Sequence, residues 1–223
     1  MTTDPTDDPS RTDRVVDTLI DRLLRTGIDG VGRLDSARKV GADALRAEHS
    51  AERAIDSIVS SHTKLAATGG FVTGLGGFVT LPVALPANVV GFYLIATRMV
   101  AAIAVVRGYD VTKDEVRTAV LLSLSGDDAT EILRKAGGGV ITGRATSFAL
   151  DRLPPAALMA VNKGVAFRIV VQLGEKGLGR MGRMVPLAGG VIGGGIDAYF
   201  MNRLAKHARK EFPPTGSAAI TSA

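Results

Sequence analysis

The chain has 223 residues, 27 Lys+Arg against 22 Asp+Glu, a net charge of +5, and no cysteine. That length suits one domain with a sizeable core. The missing cysteines exclude a disulfide framework, a thiol nucleophile and a Cys-ligated metal. Glycine is abundant, 27 of 223 residues or about 12%, against a usual ~7%. The hydrophobic share is 46% and mean hydropathy is +0.21, so the composition leans towards lipid.

The opening "MTTDPTDDPSRTD" is acidic and polar. It has neither the basic start nor the apolar run of a secretory signal. Thr2 and the absence of cysteine leave no lipidation motif. The expected location is the cytoplasm, peripherally on a membrane, with the inner membrane as the alternative. Residues 1–12 and 213–223 are expected to be disordered tails. Residues 13–33 are expected to form an amphipathic helix and linker, with Val15, Val16, Leu19, Ile20, Leu23 and Leu24 on one face. The rest, 34–212, is expected to be one helical domain. Its first helix is predicted from Leu34 to about Ser61, with one apolar stripe and a charged reverse side.

Leu65 to Thr97 then runs for 33 residues without Asp, Glu, Lys, Arg or His. Ala87–Val106 is predicted to be one helix, apolar all round apart from Arg98. It has the ~20 residues needed to cross a bilayer. A central Arg costs roughly 2.5–3.5 kcal/mol there, which about ten apolar residues at ~0.3–0.6 kcal/mol each nearly offset. Pro82 and Pro86 argue against a regular span upstream, and Gly70 and Gly74 make a small-xxx-small pair. Thr112 with Glu115 reads as a capping box for a helix to about Leu124. Asp127 and Asp128 read as the cap of a helix to Lys135. Pro154 and Pro155 read as a helix start. "VPLAGGVIGGGIDAYF" echoes the earlier uncharged run and leads into a last helix to about Phe212. Strand patterns are scarce. The expected fold is all-α, with two Gly/Pro-rich, hairpin-like apolar segments around an apolar interior.

No motif carries chemistry. "GGVITGRA" resembles a phosphate-binding loop but has Arg144 and Ala145 where Lys and Ser/Thr are needed. "GLGRMG" fits G-x-G-x-x-G, but only a short apolar run, Ile169 to Leu173, precedes it in place of a clear strand. His49, His62 and His207 form no metal-spaced cluster, and no Ser sits in a nucleophile elbow. No enzyme activity, metal or cofactor is expected. The late basic residues Arg180, Arg183, Arg203, Lys206, Arg209 and Lys210 read as a solvated helix end or as a patch for acidic lipid headgroups. With only Phe212 nearby they are not an expected nucleic-acid site.

"TGGFVTGLGGFVTLPVALPANVVGFYLIATRMVAAIAVVRGYD" resembles the signature of the EcsC family of bacterial proteins. Its features are a Gly-Gly start, a Leu-Pro step, an Arg inside an Ile/Ala-rich helix, and a closing Gly-Tyr-Asp. "RMVPLAGGVIGGGIDAYFMNRLAKHA" resembles a second family signature, and the likeness spans roughly Ala51 to Phe212. One departure is Asn88, where the resemblance leads one to expect Asp. The family is named for a protein encoded beside an ABC transporter, and it supplies no catalytic residues to carry over. It is also similar, remotely, to the eukaryotic senescence domain of plant senescence-associated proteins and spartin, which implies lipid association.

The expectation is a non-enzymatic protein that binds lipid or another long apolar ligand at a membrane. The alternatives are an integral or re-entrant regulator of a transporter or of secretion, and a scaffold. The expected apolar lining is Phe71, Phe78, Leu81, Leu85, Phe92, Met99, Phe148, Met159 and Phe167. Arg98 and Asn88 are the expected polar anchors. Arg203, Lys206, Arg209 and Lys210 are the expected contacts to membrane or acidic surface. A membrane-protein partner is a further expectation; nucleic acid is not.

Overall fold

A computed structural model describes residues 9–32, 34–75, 77–136, 150, 153–179 and 186–215. It is all-α, with no strand among the described residues. Helix α1 spans Pro9–Arg22 and passes into a π-helical turn, Leu23–Asp29. Val16, Leu19 and Leu23 are buried at i, i+3, i+7 spacing, as expected for one apolar face on the core. Gly30 ends the segment at φ 77°, a left-handed conformation that favours glycine.

The helix expected over 34–61 is two helices. Helix α2 covers Ala37–Ala47, and α3 covers Ala51–Leu75. Ser36 caps α2 by accepting from the Lys39 amide at 3.2 Å. Ser50 Oγ accepts from the Arg53 amide at 3.3 Å. The chain at Glu48 is extended, so Ser50 opens a new helix where the periodicity alone suggested continuation.

Helix α4 is Gly77–Val106. It starts ten residues before the expected Ala87 and runs through Pro82 and Pro86. A proline inside a helix removes one rung, so the carbonyls of residues 78 and 82 lose their usual donors without ending the helix. Helices α5 (Asp114–Leu124), α6 (Ala129–Lys135), α7 (Pro155–Gly179) and α8 (Pro186–Glu211) follow. Pro155 and Pro186 open their helices, where the missing N–H costs nothing.

Two expected caps do not form. Thr112 turns back, its hydroxyl donating to Asp110 Oδ1 at 2.6 Å and its amide to the same oxygen at 3.0 Å, and α5 begins behind Lys113 without a side-chain cap. Asp128 makes no cap bond either; it accepts from Arg168 Nε of α7 at 2.7 Å. Residues 213–215, expected to belong to a tail, lie against the domain. Thr215 donates through its amide (3.0 Å) and hydroxyl (2.9 Å) to the Arg107 carbonyl, and Phe212 is fully buried edge-on to Tyr109, ring centroids 5.2 Å apart.

The core is built round the second half of α4. Ala96, Thr97 and Met99–Ala104 have no exposed surface. Close approach to this helix needs glycine. A Cβ on Gly27 would lie 2.8 Å from Thr97 Cγ2, and one on Gly41 would lie 2.8 Å from Val105 Cγ1. Val89–Val106 is long and apolar enough to cross a bilayer, yet 56% of it is buried within the protein.

Candidate functional site

Helices α3, α4 and α8 pack together along their length, and ion pairs fix their directions. Arg107, near the end of α4, pairs with Glu52 in the first turn of α3 at 2.7 Å. Arg209, near the end of α8, reaches Glu52 at 2.9 Å and Asp56 at 2.5 Å. The start of α3 therefore lies beside the ends of α4 and α8, so both run antiparallel to it. One end of this three-helix unit carries the charges. The opposite end gathers the end of α3 and the starts of α4 and α8. There α3 is uncharged from Leu65 to Leu75, α4 from Gly77 to Thr97, and α8 from Pro186 to Ile196.

The boundary between the two ends is marked by exposed apolar side chains. Leu65 is 50% exposed on α3; Ile196, Tyr199 and Phe200 are 47%, 63% and 41% exposed on α8. Leu65 lies thirteen residues beyond Glu52, and Ile196 lies thirteen before Arg209, so at equal rise they stand at one level. Tyr199 and Phe200 stack edge-on, centroids 5.6 Å apart.

Arg98 sits just on the charged side of this boundary. It is 7% exposed, and its Nε is buried with no hydrogen-bond partner among the described residues. Burial holds its pKa below the usual arginine range, opposed by the field of Asp35. Asp35 is itself held by Lys39 Nζ at 3.1 Å, within no salt-bridge distance of Arg98. His62 of α3 is 7% exposed, and its Nδ1–H donates to the Ile58 carbonyl at 2.8 Å. Burial first, and the Arg98 charge after it, push the His62 pKa down, against the opposing pull of the Ile58 bond. A neutral His beside an under-partnered guanidinium leaves a positive centre in low dielectric, suited to one anionic group.

The expected lining residues divide. Met99 is in the core, and Phe92 is half-buried against Tyr93, centroids 5.5 Å apart. Met159 (61%) and Phe167 (53%) face outwards from α7 and line no interior. That helix turns Leu158, Val161, Val165, Ala166 and Ile169 inwards instead. Phe71, Phe78, Leu81, Leu85 and Asn88 lie on the α3 and α4 backbones with side chains outside the described set, and Phe148 lies outside the described residues. Among the expected basic contacts, Arg203, Lys206 and Lys210 are exposed, whereas Arg209 is taken up by Glu52 and Asp56. Leu65, Tyr199 and His62 were missed as site residues. Ile196, Tyr199 and Phe200 recur at i, i+3, i+4, a face legible in the sequence once α8 is known to be helical.

A separate open groove of about 520 Å³ runs along the charged half of α3, lined by Glu48, Arg53, Asp56, Ser57, Ser60, Ser61 and Lys64. Its lining residues all carry charged or hydroxyl groups, unlike the uncharged ends of the helices. No group of three His, Cys, Asp or Glu suited to a metal occurs among the described residues.

Residues 47–213 match the model of the EcsC protein family, so the chain belongs to the EcsC family. The match begins in the last residue of α2 and covers α3 to α8 entire. No curated protein and no solved structure matches the chain.

Proposed function

We propose that this EcsC protein is a non-enzymatic binder of lipid, or of another long apolar ligand with an anionic head, and that it works at a membrane. One observation carries the reading: three antiparallel helices gather their uncharged ends at one end of the bundle, and Arg98 lies buried at the boundary. An amphiphile has the same division, with a charged head and an apolar tail. A carboxylate or phosphate at Arg98 would supply the missing acceptor in a site where a charge-assisted bond is worth more than in water. Acyl chains would lie along the uncharged ends of α3, α4 and α8. Such sites are lined mainly by apolar groups with a few polar anchors.

Native mass spectrometry of protein purified without detergent tests this, together with organic extraction of the same sample. A discrete added mass that extracts as a lipid supports the reading. Protein free of lipid after mixing with oleate or phosphatidylglycerol would sink it. A second reading, an integral membrane regulator, draws on Val89–Val106. The burial of that helix's second half by its own domain weighs against it. Resistance to alkaline carbonate extraction would favour it.

A further inference from the structure

We infer that the uncharged end of the α3/α4/α8 unit docks into a single leaflet of an anionic bilayer, to the level of Leu65, Ile196 and Tyr199. The inference rests on the lipid reading above and adds to it a partner, an orientation and a depth.

Three features fix the orientation. From Leu65 to Leu75 and from Pro186 to Ile196 neither α3 nor α8 carries a charge. Ten residues of helix rise ~15 Å, which is about half of a ~30 Å hydrocarbon core. On α3 and α8 the uncharged length therefore suits one leaflet; on α4 it is longer, from Gly77 to Thr97. At its upper limit stand the exposed Leu65, Ile196, Tyr199 and Phe200. Aromatic side chains with one polar end favour the headgroup boundary of a membrane. Above them the exposed residues turn basic: Lys64 on α3, then Arg203 and Lys206 on α8. Their long stems reach along apolar surface while the charge stays in water, which places them among lipid phosphates. Asp197, the one acid on α8 near this level, is half-buried and keeps Oδ2 away from solvent. Beyond the uncharged ends the unit thus turns to exposed aromatic and then cationic side chains along one axis. A protein partner needs no such layering; an anionic interface does.

The chain has no cysteine, so single-cysteine variants report without background. Ile196→Cys and Lys210→Cys, each carrying an environment-sensitive nitrobenzoxadiazole label, are mixed with vesicles of pure phosphatidylcholine or with 30% phosphatidylglycerol added. The Ile196→Cys label should brighten, shift to the blue and be quenched by chain-brominated lipid, on the anionic vesicles above all. The Lys210→Cys label should stay aqueous. Lys64→Gln/Lys206→Gln should weaken partitioning roughly 25-fold, about 5-fold for each basic residue near the surface. Tyr199 is mostly exposed, so Tyr199→Asp should fold normally and lose vesicle binding. An aqueous Ile196→Cys label on anionic vesicles, or equal binding to neutral ones, overturns the inference. So does lost binding in neither the charge variant nor Tyr199→Asp. The lipid reading is separable: a wild-type protein that retains lipid by native mass spectrometry but ignores vesicles fails here alone.

Discussion

Replacing Arg98 with methionine separates a ligand anchor from a structural group. Arg98 is 7% exposed, its Nε lacks a partner among the described residues, and burial already depresses its pKa. A buried charge without full pairing costs stability, and a well-packed apolar residue of similar length removes that cost. Arg98→Met should stabilise lipid-free protein by about 1–3 kcal/mol. For a chain of this size each kcal/mol moves Tm by about 2–4 °C, so a rise of roughly 2–12 °C is expected. The same variant should lose an ionic bond worth about 1.5–3 kcal/mol, weakening retention of an anionic lipid by roughly 10–150-fold. The two assays are thermal unfolding followed by circular dichroism on delipidated protein, and native mass spectrometry after mixing with oleate. Arg98→Lys keeps the charge and should keep part of the retention. A Tm that falls by several degrees in delipidated Arg98→Met would refute the reasoning, because it would mean that the guanidinium holds the fold together. An unchanged oleate occupancy would remove Arg98 from the site.

Three further outcomes follow from the packing. His62 binds protons less readily folded than unfolded, since burial lowers its pKa from 6.5; its share of stability is therefore complete above that value and is lost as pH falls below it. Urea midpoints between pH 5 and 7.5 should drop on the acid side in the wild type, and His62→Gln should flatten that slope. Gly41→Ala would put a Cβ 2.8 Å from Val105 Cγ1 and 3.1 Å from the Ala102 carbonyl oxygen, so it should cost about 1–3 kcal/mol by urea unfolding despite the usual gain from replacing glycine. Phe212→Ala should cost about 3–5 kcal/mol and raise hydrogen exchange at the Thr215 amide, because the buried ring holds the residues that close over Arg107.

Helix positions were legible where apolar spacing was regular, as in α1; α5 was placed by a cap that does not form, and α8 was read only by its end. Helix ends were less legible, because each was decided by one competing polar contact. Thr112 had the spacing of a cap, but Asp110 two residues earlier offers a nearer acceptor, and the hydroxyl goes there. Asp128 had the right type for a cap and is drawn off by Arg168, forty residues away in sequence. Ser50 was the reverse case, a real cap hidden inside a pattern that read as unbroken. The antiparallel order of α3, α4 and α8 was beyond reach, since Glu52, Arg107 and Arg209 are remote in sequence and ordinary in type.

The 33-residue uncharged run illustrates why composition could not settle its role. Its last residues, Ala96 and Thr97, are completely buried, Thr97 against Gly27 of the π-helical turn, while Leu65 at its start is half exposed. One stretch of uniform polarity therefore serves two environments. Hydropathy registers only the absence of charge, which a packed core and a lipid leaflet demand equally. What separates the two is side-chain size. Along Ala96–Ala104 four of nine residues are alanine, and neighbouring helices close to contact at Gly27 and Gly41, as a solid core requires. At the other level the exposed side chains are leucine, isoleucine, tyrosine and phenylalanine, too large and too outward to be covered by the bundle that carries them. The same helix unit thus holds its own core at one level and offers unclaimed apolar surface at the next, with Arg98 at the step between them.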